Sequence, residues 1–167
     1  MEFKIKNRHR IKKKEIRKII DRLKNDFDSS FFNFDSVVEI GYYKNIEFVF
    51  IDHKPYFMLY NDRIVFTLIG LYKYKPSNKY VIVDMGAIKF VTNGADVMNP
   101  GIVDADKDIQ PDDIVWICDE KNKKPLAVGI ALVNGEDMIQ KEKGKAIAIF
   151  HYIGDNLWDF LKSDNIF

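Results

Sequence analysis

Residues 84–103 read DMGAIKFVTNGADVMNPGIV, and the spacing of their side chains predicts a short helix, a sharp turn and a strand. Asp84 follows a β-rich run and is placed to cap a helix with its carboxylate. Ile88 and Val91 lie three apart and face inward, whereas Lys89 and Asn93 lie four apart on another face. Gly94 supplies the left-handed residue that ends such a helix, and Ala95 is small enough for another backbone to approach. Pro100-Gly101 suits the centre of a type II turn. The segment is expected to present accessible backbone amides beside Lys89, a seat for a phosphate or a splayed nucleotide.

Outward from this segment the chain is rich in short strands. Tyr80–Asp84, Ile114–Asp119, Leu126–Val133 and Ala146–Tyr152 are β-branched or aromatic runs, with helical turns expected at Gly86–Asn93 and Glu136–Glu142. Short strands with frequent turns point to a small barrel or sandwich. Upstream, Tyr74-Lys75-Pro76-Ser77-Asn78-Lys79 is the natural boundary, because Pro76 biases Lys75 away from helix and Ser77-Asn78 form loops. Residues 1–77 and 78–160 are therefore expected to be separate domains.

The first half opens with MEFKIKNRHR, a strand or an arm. A helix pattern then starts at Ile11, its stripe formed by Ile16, Ile19, Ile20, Leu23 and Phe27, and ends near Asp28-Ser29-Ser30. Val37–Tyr43, Ile46–Ile51, Tyr56–Tyr60 and Ile64–Ile69 follow as strands. They are separated by Lys44-Asn45, by Asp52-His53-Lys54-Pro55 and by Asn61-Asp62-Arg63. A short helix is expected over Thr67–Tyr74. The fold class is α+β, an N-terminal helix packed on antiparallel strands followed by a strand-rich domain.

Charge divides unevenly. Residues 1–24 carry eleven Lys/Arg against three acids, net +8, while the remaining residues carry fifteen against twenty-two, net −7. The basic helix face, with Lys13, Lys14, Arg17 and Lys18, points to an acidic partner. Residues 79–167 hold ten Lys/Arg and fifteen Asp/Glu. Any nucleic-acid contact there must be a local patch, with Asp104, Asp106, Asp108, Asp112 and Asp113 facing elsewhere. Cys118 is the single cysteine, which excludes an intramolecular disulfide and a Cys-based zinc site. No apolar run approaches the length of a membrane span and the N-terminus is charged, so a cytoplasmic protein with no membrane partner is expected.

Taken in order, Gly86–Val91, Gly94-Ala95, Val97-Met98, Pro100–Val103, Asp112–Trp116, Ala127–Ala131, Gly144–Ala146 and His151-Tyr152 resemble the signature of the PUA domain. This is the RNA-binding module named after pseudouridine synthases and archaeosine transglycosylases, and the resemblance runs from about Lys79 to Trp158. The variant GAIKFVxxGAxxMxPG, and the ending His151-Tyr152…Asp155…Leu157-Trp158, are similar to the malignant-T-cell-amplified-sequence family and its archaeal homologues. The resemblance implies a pre-PUA domain followed by a PUA pseudo-β-barrel. It also implies an RNA surface at Lys89, Asn93, Gly94, Ala95, Asp96, Val97, Met98, Pro100, Gly101, Lys145 and Ala146. Implied partners are RNA (tRNA or rRNA), the small ribosomal subunit and a partner translation factor, with a role in translation initiation, reinitiation or recycling. An accessory role beside an RNA-modification enzyme is an alternative.

No catalysis, cofactor or metal is expected. The chain lacks GxSxG, a GxxxxGK phosphate loop, CxxC and HExxH, and His9, His53 and His151 form no ligand pair. Cys118, Trp116 and Trp158 are expected in the core and the histidines at the surface or packed, with stacking on a base the alternative for a rim Trp158 and for His151. The competing expectation is a protein-docking face on the first half, made by Phe31, Phe32, Phe34, Tyr42, Tyr43, Phe48, Phe50, Tyr56, Phe57 and Tyr60.

Overall fold

In the computed structural model of the chain, residues 3–163 are described. Residues up to Lys75, with those from Phe160 onward, form one unit, and Pro76–Asp159 form a second.

The first unit begins with β1 (Lys6–Arg10) and α1 (Lys13–Phe27). The expected stripe is the buried face of α1: Ile16, Ile19, Ile20, Leu23 and Phe27 all lie in the core. Asp28, left-handed at φ 59°, ends the helix and donates its N–H to the Lys24 carbonyl. Strands β2 (Val38–Tyr43), β3 (Ile46–Ile51), β4 (Lys54–Tyr60) and β5 (Arg63–Phe66) then run as an antiparallel meander, in sheet order β1-β2-β3-β4-β5.

Two of its hairpins turn on residue pairs that are both left-handed, Asp52-His53 and Asn61-Asp62. That is the twist-compatible two-residue turn that Asn and Asp favour. The turn after β3 is thus shorter than expected: Lys54 and Pro55 belong to β4, and Ile51 pairs with Lys54. The expected strand Ile64–Ile69 stops at Phe66, because Thr67 starts a helix instead. Its hydroxyl donates to the Pro55 carbonyl at 2.7 Å and accepts from the Gly70 amide at 3.2 Å, capping α2 (Leu68–Tyr74).

Among the described residues, the aromatic side chains of this unit do not form an exposed docking face. Phe48, Phe50 and Phe57 are fully buried, and Phe32 and Tyr43 nearly so. Phe31, Phe34, Tyr42, Tyr56 and Tyr60 are partly buried. They pack on one another: Phe57 meets Phe66 at 4.9 Å between ring centres, and Tyr43 stacks on Phe160 at 4.0 Å. Composition signals many rings, but the strand period places most of them on the covered face of the sheet.

The second unit holds β6 (Tyr80–Val83), α3 (Ile88–Val91), β7 (Val97–Met98), β8 (Ile102–Ala105), β9 (Ile114–Asp119), β10 (Pro125–Ala131), α4 (Gly135–Gln140) and β11 (Lys145–Tyr152). Helix α5 (Asn156–Leu161) follows; the sequence pattern did not announce it. The sheet order is β7-β11-β10-β9-β6-β8, with β6 parallel to β9 and the other pairs antiparallel. It wraps as a nearly closed, barrel-like sheet. Val81, Val83, Val115, Ile117, Ala127, Ala146 and Ile147 fill the inside. Cys118 and Trp116 lie in the core as expected; burial pushes the Cys118 thiol up to about 11, and the Trp116 indole donates to the Asn78 carbonyl at 2.9 Å. No helix among the described residues is long and apolar enough to cross a membrane.

Candidate nucleic-acid interface

The segment 84–103 folds largely as its punctuation dictates. The Asp84 carboxylate accepts from the Ala87 amide at 2.9 Å and caps a 3-10 turn (Met85–Ala87) that runs into α3. Val91 enters the core and Ile88 packs against it, which turns Lys89 and Phe90 outward. Phe90 is 58% exposed, the most exposed of the large hydrophobic residues described. Gly94 ends the helix at φ 85°.

Two details correct the expectation. The amides of Gly94 and Ala95 are not accessible, since they donate to the Val91 and Phe90 carbonyls, each at 3.0 Å. They close the helix terminus instead. Nor is Pro100-Gly101 a type II turn. Asn99–Gly101 form a 3-10 turn, and Gly101 lacks the positive φ that a type II turn requires.

Strand β7 places Val97 opposite Ile147 and Met98 opposite Lys145. Val97 points into the core and Met98 is 48% exposed, as the period of two requires. Asn99, itself buried, ties down the loop before β11. Its amide N–H donates to the Gly144 carbonyl and its side-chain Nδ2 to the Lys143 carbonyl, both at 2.9 Å. Gly144 supplies the loop's left-handed residue at φ 106°.

These pieces form the walls of an open groove of about 740 Å³. Ala87, Phe90, Ala95, Met98, Pro100 and the backbones of Gly86 and Gly101 give it a largely apolar lining, closed at the back by Val91 and Val97. Its charged lining residues are Asp84, Asp96 and Lys145. Lys145 Nζ lies 2.9 Å from Asp96 Oδ2, and Asp96 Oδ1 accepts from the Ile149 amide at 2.9 Å. The Lys145 ammonium first, then the Ile149 amide, hold the Asp96 carboxyl below the ordinary carboxylate range against its partial burial.

Of the residues implied as an RNA surface, Ala95, Asp96, Val97, Met98, Pro100, Gly101 and Lys145 line this groove. Lys89, Asn93, Gly94 and Ala146 do not. Lys89 and Asn93 are exposed beside it, with Lys89 Nζ 5.1 Å from the centre of the Phe90 ring. Gly94 lies under Tyr152, and Ala146 is fully buried in the core, so its side chain reaches no ligand. Phe90 and Asp84 are groove residues absent from the implied set. The signal for Phe90 was present, since a helix that buries Ile88 and Val91 must expose residue 90.

Asp104, Asp106, Asp108, Asp112 and Asp113 do not line the groove. Asp113 pairs with Lys79 Nζ at 2.6 Å, and Asp106 accepts from the Lys79 amide at 2.7 Å. His151 is not available to stack on a base: it is fully buried, with Nδ1 2.8 Å from Asp155 Oδ2. Trp158 is partly buried. In the first unit Lys13, Lys14, Arg17 and Lys18 are exposed on α1, with the Arg17 guanidinium 4.9 Å from the Phe34 ring centre.

Residues 79–153 match the PUA domain, and residues 7–74 match a domain of unknown function, DUF1947. The chain is similar to an uncharacterized protein of Methanocaldococcus jannaschii, 43% identical over 93% of this chain and 98% of that one. It is similar to Translation machinery-associated protein 20 of Saccharomyces cerevisiae, 33% identical over 69% of this chain and 67% of the yeast protein. Malignant T-cell-amplified sequence 1 of Rattus norvegicus is 39% identical over 55% of this chain and 52% of its own length. Among solved structures, a hypothetical protein of Pyrococcus horikoshii superposes with a TM-score of 0.83 at 35% identity, over 91% of this chain and 98% of that one. A PUA domain preceded by a DUF1947 domain, shared end to end with the M. jannaschii protein, places the chain in the family of two-domain PUA proteins to which the translation machinery-associated and malignant T-cell-amplified sequences are related.

Proposed function

We propose that this chain is a non-catalytic RNA-binding protein of the translation apparatus that holds an unpaired stretch of structured RNA in the groove between α3, β7 and the start of β11. The carrying observation is the exposed pair Phe90 and Met98 on the walls of a preformed groove, with Lys89 beside it and Lys145 at its mouth. Bases stack on aromatic walls, and lysines outside the apolar part attract the backbone. Lys89 and Lys145 hold phosphates, while Ala95, Asp96, Val97, Met98, Pro100 and Gly101 shape the groove. Asn93, at the helix terminus beside Lys89, is a rim contact.

The names of the relatives support a place in translation, with tRNA or small-subunit rRNA as the RNA and initiation, reinitiation or recycling as the step. The basic face of α1 (Lys13, Lys14, Arg17, Lys18) is a second contact to phosphate.

The test is binding of the pure protein to labelled tRNA and to small-subunit rRNA fragments across a salt series, beside Lys89→Glu and Lys145→Gln. Glutamine at 145 avoids setting a second carboxylate beside Asp96. Saturable binding to one RNA, weakened in both variants with a shallower salt dependence, supports the groove. Equal binding by wild type and variants removes it as the site.

A further inference from the structure

We infer that the groove accepts a nucleobase bearing an exocyclic amino group, and that Asp84 and Asp96 are the residues that select such a base over uracil. This rests on the groove being the RNA site.

The charged lining of the groove is two carboxylates, Asp84 and Asp96, and one ammonium, Lys145, a net charge of −1. Lys145, half exposed at the mouth, pairs with Asp96 at 2.9 Å. A phosphate drawn deeper than Lys145 would meet the two carboxylates, so the backbone stays at the mouth, beside Lys145 and Lys89. What enters is an uncharged group.

The walls say what kind. Phe90, Met98 and Pro100 offer apolar faces suited to a flat ring, and the polar atoms offered by the two carboxylates are acceptors. Asp84 uses Oδ1 for the Ala87 amide, and among the described residues its Oδ2 has no partner. Asp96 keeps both oxygens in place through Lys145 and the Ile149 amide, so it is a fixed acceptor.

Cytosine, adenine and guanine each carry an amino group that donates to a carboxylate, and Asp or Glu reads cytosine through its N4 amine. Uracil carries a carbonyl oxygen, O4, where cytosine carries the N4 amine, so a carboxylate that accepts from the amine repels uracil at that position, and the only donor left on the uracil edge is N3–H. Cytosine and uracil are otherwise matched in size and stacking, so the difference between them isolates the effect.

The experiment compares oligocytidylate and oligouridylate, each about eight nucleotides long, by fluorescence anisotropy at neutral pH and one salt concentration. The wild type, Asp84→Asn/Asp96→Asn and Phe90→Ala are measured together. Asparagine keeps an acceptor for the Ala87 and Ile149 amides, and a thermal melt checks folding. The wild type should bind the cytidylate about tenfold more tightly, and the double variant should bring the two affinities close together. Equal affinity of the wild type for both oligomers overturns the inference without any variant. So does an undiminished cytidylate preference in a folded double variant. If Phe90→Ala still weakens RNA binding in either of those cases, the groove stands as the RNA site and only base selection fails. Failure of both oligomers to bind, or binding indifferent to Phe90→Ala, removes the groove as the site and the inference with it.

Discussion

Gly94 lies directly under the ring of Tyr152: a Cβ placed on this glycine would come within 2.8 Å of the phenol carbon and oxygen. Its φ of 85° is also one that an alanine resists. Gly94→Ala is therefore expected to destabilise the second unit by about 2–4 kcal/mol, from left-handed strain plus displacement of the ring. Gly86→Ala is the control, because its Cβ would meet Asp84 Oδ1 only at 3.4 Å. Denaturant melts of the two variants compare them. Equal stability would mean that the Tyr152 ring swings away at little cost.

Phe90→Ala separates binding from folding. A side chain 58% exposed contributes little to the core, so the melt should shift by less than about 0.5 kcal/mol. Loss of one stacked base should weaken RNA binding by about 1–3 kcal/mol. A titration showing unchanged affinity would leave Phe90 a solvated ring.

The basic face of α1 should register in the salt dependence. Changing Lys13, Lys14, Arg17 and Lys18 together to glutamine removes four exposed charges without touching the buried stripe. Each lost phosphate contact lowers the slope of log K against log salt by about 0.7 on single-stranded RNA. A slope and affinity identical to wild type would make this face an ordinary solvated surface.

Asp155 governs the acid side of stability. Burial by itself would raise its carboxyl, but the His151 ring and the Tyr152 and Trp158 amides outweigh burial and hold it below the usual value. A group lowered in the folded state stabilises the protein above its unfolded pKa, about 3.9 for Asp. That contribution is lost as pH falls through the lower folded value. Asp155→Ala should cost roughly 2–4 kcal/mol at neutral pH, because three donors lose their acceptor. The gap to wild type should narrow below about pH 4 as the wild type loses its own carboxylate. Melts from neutral to strongly acidic pH read this directly, and a gap constant with pH would show that the ionised form does not matter.

Much of this architecture was legible because it rests on local chemistry. Strands β3 and β9 begin and end where their β-branched and aromatic runs do, Asp28 and Gly94 stop helices because each accepts a left-handed backbone, and Asp84 starts one with its carboxylate. What was not legible depends on which atoms meet across the sheet. Ala146 and Lys145 are neighbours in sequence, yet one is in the core and the other at the groove mouth, because β11 fixes the phase of alternation. The ion pair of Lys145 with Asp96 needs the pairing of β7 with β11. The Pro100-Gly101 turn likewise took its form from Asn99, whose two hydrogen bonds to Lys143 and Gly144 hold it against the β11 loop.

The strand order of the second unit also carries a history. Strands β9, β10 and β11 are consecutive antiparallel neighbours in the sheet, but β6 must wait for β9, and β7 must wait for β11 to bring Lys145 opposite Met98. Contacts so far apart in the chain form slowly, because the intervening segments must first be closed into loops. The groove is accordingly expected to be among the last features to be assembled. A chain cut before Lys145 would keep Phe90 and Met98 but lack the wall that makes a groove of them, so the RNA binding proposed for the groove would double as a report that this unit has finished folding.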